Sequence, residues 1–124
     1  MDIIATTNAP KAIGAYSQGI KIENLIFTSG SIGVDLSGKL KESLADQTKQ
    51  TLENLKQILI SGGSSLDKVI KTTIYLGVDI AANFAEVNQI YASYMENHKP
   101  ARSFVQVANL PLNAKIMIDM IAEI

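Results

Sequence analysis

The sequence predicts an α+β fold, a sandwich of two helices packed on one face of a mainly antiparallel sheet. Three observations carry that reading. The last ten residues, KIMIDMIAEI, alternate, with Ile116, Ile118, Met120, Ala122 and Ile124 on one side, because successive side chains of a strand point to opposite faces. Two stretches keep helical apolar spacing: Leu44, Thr48, Leu52, Leu55, Ile58 and Leu59, then Phe84, Val87, Asn88, Tyr91, Tyr94 and Met95. The elements run strands, helix, strand, helix and two strands, an order that suits helices layered on a sheet.

Taken in order, short strands are expected over Ile3 to Thr6, Gln18 to Ile22 and Leu25 to Ser29. Asn8 to Pro10, Glu23-Asn24 and Asp35 to Lys39 supply the turns. The first helix begins at Ser43, whose spacing to Asp46 resembles a capping box, and Gly62-Gly63 stops it. A long strand, VIKTTIYLGV, follows, with Ile70, Thr72, Ile74, Leu76 and Val78 on one face. Asp79 or Asn83 caps the second helix, and Pro100 ends that segment. The last two strands, RSFVQVA and KIMIDMIAEI, are joined by NLPLN.

Composition narrows the function. A chain of 124 residues suits one domain spanning 1–124, with roughly two-thirds of its unfolded surface buried. A net charge of −1, with ten lysines scattered along the chain, forms no basic stripe, which disfavours a nucleic-acid binder. The absence of cysteine excludes disulfides, thiol catalysis and Cys-ligated zinc. No signal peptide and no membrane-length apolar run are visible, so a soluble, cytoplasmic protein with no membrane partner is expected.

Two helices cover only one face of the sheet. The other face, read from the alternation, carries Lys71, Thr73 and Tyr75, then Arg102, Phe104 and Gln106, then Met117, Asp119 and Ile121. This mixture is too apolar for a plain wet face and suits an interface between identical subunits.

HKPARSFVQVANLP holds the chain's only arginine. A guanidinium takes a carboxylate bidentately, which lysine cannot do. Arg102 therefore reads either as a carboxylate-binding residue in a cleft or as a partner of Asp or Glu across an interface. His98, the only histidine, reads as a solvated helix end. Gly30 and Gly33 in SGSIG form no phosphate loop, since no Gly-Lys-Ser/Thr follows; they suit a tight backbone approach near the cleft.

AIGAYSQGI, FTSGSIGVD, DKVIKTTIYL, FAEVNQIYASY and PARSFVQVANLP, in that order, closely resemble the reactive-intermediate deaminase family. The family is also called the YjgF type, with the older label L-PSP endoribonuclease. The likeness runs from about Ala9 to Ala122. It implies a chorismate-mutase-like fold and a homotrimer whose sheets face a central barrel, with three clefts between subunits. It implies hydrolysis of reactive enamines and imines, such as 2-aminoacrylate and 2-aminocrotonate, to 2-keto acids and ammonia, with no metal or organic cofactor. Carried over by position, Arg102 would bind the substrate carboxylate and serve as the catalytic candidate. Tyr16, Ser29, Gly30 and Asn88 would line the site, together with the backbone of Phe104.

The chain departs from the family pattern at several positions. Ala15 stands where proline is usual, Ser31 and Gly33 where glutamine and proline are, and Phe104 where cysteine is common. The family's last strand reads I-E-I-E-A-I-A, and its first glutamate is assigned to the attacking water; here Met117 holds that position in the cleft. A thioether cannot take a proton from water, and such help is typically worth ~10²–10⁴ in rate. Two other readings follow: a non-catalytic trimer binding small 2-keto or amino acids, and the RNA cleavage of the older label.

Overall fold

The computed structural model describes every residue, Met1–Ile124. Its strands are β1 (Asp2–Ile4), β2 (Gly19–Ile22), β3 (Leu25–Thr28), β4 (Ser31–Ile32), β5 (Val69–Leu76), β6 (Ala101–Gln106) and β7 (Ile116–Glu123). Two helices, α1 (Leu44–Ser61) and α2 (Ile80–Met95), complete the frame. The sheet runs β1-β2-β3-β7-β5-β6, with β4 also paired to β7. Only β5 and β6 pair in parallel, because α2 forms the crossover that returns the chain in the same direction.

Local chemistry sets the helix ends. Ser43 caps α1 by accepting from the Asp46 N–H, and Asp79 caps α2 by accepting from the Ala82 N–H at 2.8 Å. Gly62 and Gly63 close α1, with Gly63 at a φ of +90°, where other residues are strained. The expected stripe of α1 is buried throughout, against Ile74, Leu76, Ile116, Ile118 and Met120 of the central strands. Each such side chain contributes about 1.5–3 kcal/mol. Of the buried polar side chains of α1, Gln47, Thr48 and Asn54 are paired, and Thr51 Oγ1 has no partner. Gln47 donates to the Lys41 carbonyl and accepts from the Lys115 N–H, while Asn54 donates to the Ile32 and Val34 carbonyls. These bonds tie the segment after β4 to the helix.

β3 and β4 lie successively along β7, with a break at Ser29-Gly30. Thr28 covers part of that break by accepting from the Met120 N–H at 2.9 Å. The two-residue β4 was not expected, because a strand this short has no alternation to read.

Two expectations about faces need correction. A bulge between Val69 and Lys71 turns Val69 into the core and leaves Ile70 exposed, so Ile70 does not share the face of Thr72. Arg102, Phe104 and Gln106 lie on the helix side, not on the open face. Parallel pairing sets Arg102 beside Thr72 and Phe104 beside Ile74, both core residues. Ser103 and Val105 take the open face instead, and Lys71 Nζ donates to Ser103 Oγ at 2.8 Å. As expected, Lys71, Thr73, Tyr75, Met117, Asp119 and Ile121 share that open face, through direct β5–β7 pairs. Ile3, Ile22, Phe27 and Val105 extend it as exposed apolar side chains.

Candidate functional site

The Arg102 side chain lies against three aromatic rings. Its guanidinium carbon is 5.0 Å from the Tyr91 ring centre, 5.4 Å from Phe104 and 5.8 Å from Phe84. Phe84, Asn88 and Tyr91 sit at i, i+4 and i+7 of α2, so one helix stripe covers the arginine. Asn88 Oδ1 accepts from Arg102 Nη1 at 2.8 Å. The Phe84 and Phe104 rings pack against each other at a 45° tilt, their centroids 4.8 Å apart. Burial raises the Tyr91 hydroxyl above the usual phenol range, opposed by its bond to Thr72 and by the nearby Arg102 charge.

No carboxylate neutralises this guanidinium. The chain's one ion pair joins Lys41 to Asp35 at 3.7 Å. An arginine held by rings and an amide, with no acid beside it, retains N–H donors for an external anion. The strand edge adds more. The Val107 N–H donates to the Leu76 carbonyl, so alternation turns the backbone groups of Arg102, Phe104 and Gln106 toward the free side of β6.

A second group of expected residues gathers at the break between β3 and β4. Gly30 lies against Met117: a methyl group at Gly30 would come within 2.6 Å of the Met117 sulfur. Ser29 Oγ donates to the Ser17 carbonyl at 2.5 Å, so that hydroxyl holds the preceding loop. Tyr16 stands on this loop, 54% exposed, and its hydroxyl accepts from the Ile13 N–H at 3.3 Å. Asp119 is two residues beyond Met117 on the same face. Burial raises its carboxyl above the usual range, while Tyr75 and Lys71 lower it. Those partners draw it toward β5 and away from Gly30.

The two groups do not meet within one copy. Arg102 is on the helix face of β6, and Met117 on the open face of β7, with β5 between them. Register adds three residues along β5, from Thr72 to Tyr75. Strand geometry then separates the backbones by about 10 Å sideways and about 10 Å lengthwise.

Two glycine and histidine expectations change. Gly33 does approach closely, but toward α1, where an added methyl would meet the Gln47 backbone at 2.5 Å. His98 is half-buried, its Nε2 bonded to the Val69 carbonyl, and is not merely a solvated helix end. Sequence reasoning placed Phe84 and Tyr91 in the helix stripe without assigning them to the site. Their signal was the spacing around Asn88.

The sequence model described as Endoribonuclease L-PSP matches residues 6–124. The chain belongs to that family, the YjgF or reactive-intermediate deaminase family. It is 44% identical over 122 residues to the rat 2-iminobutanoate/2-iminopropanoate deaminase, covering 97% of this chain and 88% of that one. It is 50% identical over 123 residues to the chloroplastic Reactive Intermediate Deaminase A of Arabidopsis thaliana. That match covers 98% of this chain and 65% of the plant protein. Among solved structures, a putative endoribonuclease from Thermotoga maritima superposes with a TM-score of 0.95 at 43% identity, covering 100% and 98% of the two chains. Escherichia coli TdcF with bound serine gives 0.94 at 38%, covering 100% and 99%. The chorismate-mutase-like α+β fold expected from the resemblance is therefore the fold of this chain.

Proposed function

We propose that this protein hydrolyses short-lived 2-imino acids and their enamine tautomers, such as 2-aminocrotonate and 2-aminoacrylate, to 2-keto acids and ammonia. The observation that carries the reading is the Arg102 guanidinium, held by Asn88 and three rings with no acid beside it. The names of the rat and plant relatives support the substrate class.

Arg102 takes the substrate carboxylate and the free edge at Phe104 offers it backbone donors. Tyr16, Gly30 and Met117 close the cleft from a neighbouring copy, since the two halves lie on opposite faces of one copy's sheet. The apolar open face supplies the contact between copies, and a ring of three is the assembly proposed. In the reaction, water adds to C2 of the imine. The carbinolamine then collapses, the C–N bond breaks and ammonia leaves with the transferred protons. Met117 supplies no base, so positioning by Arg102 does most of the work and turnover is slow. No step calls for a cofactor, and the proposed compartment is the cytoplasm.

Met117 also favours a second reading, a trimer that binds small 2-keto or amino acids without turning them over. One experiment separates the two. A threonine dehydratase generates 2-aminocrotonate, and keto-acid release is followed with and without this protein. Acceleration that disappears in Arg102→Ala supports hydrolysis. Absence of acceleration, with saturable 2-ketobutyrate binding lost in Arg102→Ala, supports the binder.

A further inference from the structure

The chain between β1 and β2 has no regular structure, yet it carries Tyr16. Residues 5–17 take part in no backbone–backbone hydrogen bond of a turn or loop. Ala9 is the only buried side chain among them. One side chain from outside replaces the missing ladder. Gln18, 6% exposed, accepts from the Thr6 N–H at 2.7 Å through Oε1. Its Nε2 donates to the Pro10 carbonyl at 2.8 Å and the Thr6 carbonyl at 3.0 Å, with Ala9 O at 3.4 Å. Both amide protons are therefore used, and the acceptor is engaged. Ser29 adds the second tie, through Ser17.

We propose that Gln18 is a positioning residue: its amide clamps the loop from Thr6 to Ser17 and so sets where Tyr16 stands in the cleft. A buried amide satisfied on both sides holds a loop that its own backbone cannot hold. Losing it frees the loop locally, because strands β2 and β3 keep their ladder without it. The functional half of this inference rests on the reading that Tyr16 lines the substrate cleft.

Two variants test it. Gln18→Met keeps the length and removes every hydrogen bond. Gln18→Glu keeps an acceptor for Thr6 and sets a carboxylate against the carbonyls. Native-state trypsin cleavage after Lys11 reports loop opening, and cleavage after Lys56, within α1, reports global unfolding. Cleavage after Lys11 is expected to accelerate about tenfold or more in both variants, with that after Lys56 unchanged. KM for 2-aminocrotonate, and Kd for 2-ketobutyrate, are expected to rise about tenfold with kcat nearly unchanged. Neither should rise further when Tyr16→Ala is already present.

Unchanged cleavage after Lys11 in a folded variant overturns the clamp. A full effect of Gln18→Met in the Tyr16→Ala background overturns action through Tyr16. Should Gln18→Met fail to fold, Gln18→Glu decides alone, and parallel acceleration at Lys11 and Lys56 in it counts against a local clamp. A wild type that neither turns over nor binds sinks the functional reading, while the cleavage ratio still judges the clamp.

Discussion

Arg102 Nη1 donates to Asn88 Oδ1 at 2.8 Å, one hydrogen bond that fixes the plane of the chain's only guanidinium. The bond links an edge strand to the helix above it. It commits one donor and leaves the rest of the fork for a ligand. Asn88→Ala is expected to weaken 2-ketobutyrate binding by about 1–2 kcal/mol, roughly five- to thirtyfold. Asn88→Asp should weaken it more, because the new carboxylate occupies Arg102 itself. Calorimetric titration of both variants checks the order.

Arg102→Lys should fail to rescue Arg102→Ala. An ammonium lacks the planar fork that meets both Asn88 and a carboxylate, and it stacks less well on Phe84, Tyr91 and Phe104. KM for 2-aminocrotonate in the lysine variant is expected to rise at least about thirtyfold, with thermal stability close to wild type.

The two close-packed glycines should respond differently. At Gly33 an added methyl meets helix backbone, Gln47 Cα at 2.5 Å, which has little room to move. Gly33→Ala is expected to cost about 1–3 kcal/mol in urea unfolding. At Gly30 the same methyl meets the end of the flexible Met117 side chain. Gly30→Ala should leave folding nearly unchanged and lower activity instead.

Two carboxylates should show opposite pH linkage. Burial holds the folded Asp119 pKa above 3.8, so the folded chain binds its proton more tightly than the unfolded one. Stability from this group is full below 3.8 and is lost as pH rises through the folded value. Asp119→Asn should therefore be stabilising at neutral pH, with the gain vanishing in acid. Asp35 is the reverse: hydrogen bonds from Ser37 and Lys39 lower it to about 2. Its contribution is present above 3.8 and is lost as pH falls toward about 2. Thermal melts of Asp119→Asn and Asp35→Asn across that range give the two signs.

The helices and the last strand were legible because their patterns are strong. Leu52, Leu55 and Leu59 keep a helical stripe, and Ile116 to Ala122 alternate without a break, so burial alone sets their phase. β6 was misread for the converse reason. Arg102 and Gln106 are more polar than Ser103 and Val105, so polarity points away from the helix side that they take, and an edge strand half-exposed on both faces offers no burial contrast to correct it. Only its parallel pairing with β5 decides the side. The bulge at Ile70 was equally hidden, since one inserted residue leaves no mark in a run of β-branched side chains.

The site was legible as residue types and not as an arrangement. Arg102 stood out as a lone guanidinium among lysines, and Met117 stood out against the family pattern. That the two lie on opposite faces of the sheet depends on pairings between distant segments. Ser29, expected to line the site, has its hydroxyl proton committed to the Ser17 carbonyl, a bond that only the folded loop reveals.

Replacing the thioether should restore chemistry. Met117→Glu places a carboxylate where the Met117 thioether lies against Gly30, and general-base help of this kind is worth ~10²–10⁴. An increase in kcat of at least about tenfold is expected, with a pH profile that follows one added ionisation. Stopped-flow assay of 2-aminocrotonate decay checks it.

The central claim is that two copies share each cleft, one giving Arg102 and the other giving Gly30 and Met117. Co-expressing Arg102→Ala with Gly30→Val and measuring keto-acid release from 2-aminocrotonate tests it most directly. Each variant alone should be nearly inactive. Random mixing in a closed ring leaves both halves intact in about a quarter of the clefts, so about a quarter of wild-type activity should return. A mixture no more active than the average of its two parents would place the whole site in one copy and contradict the account.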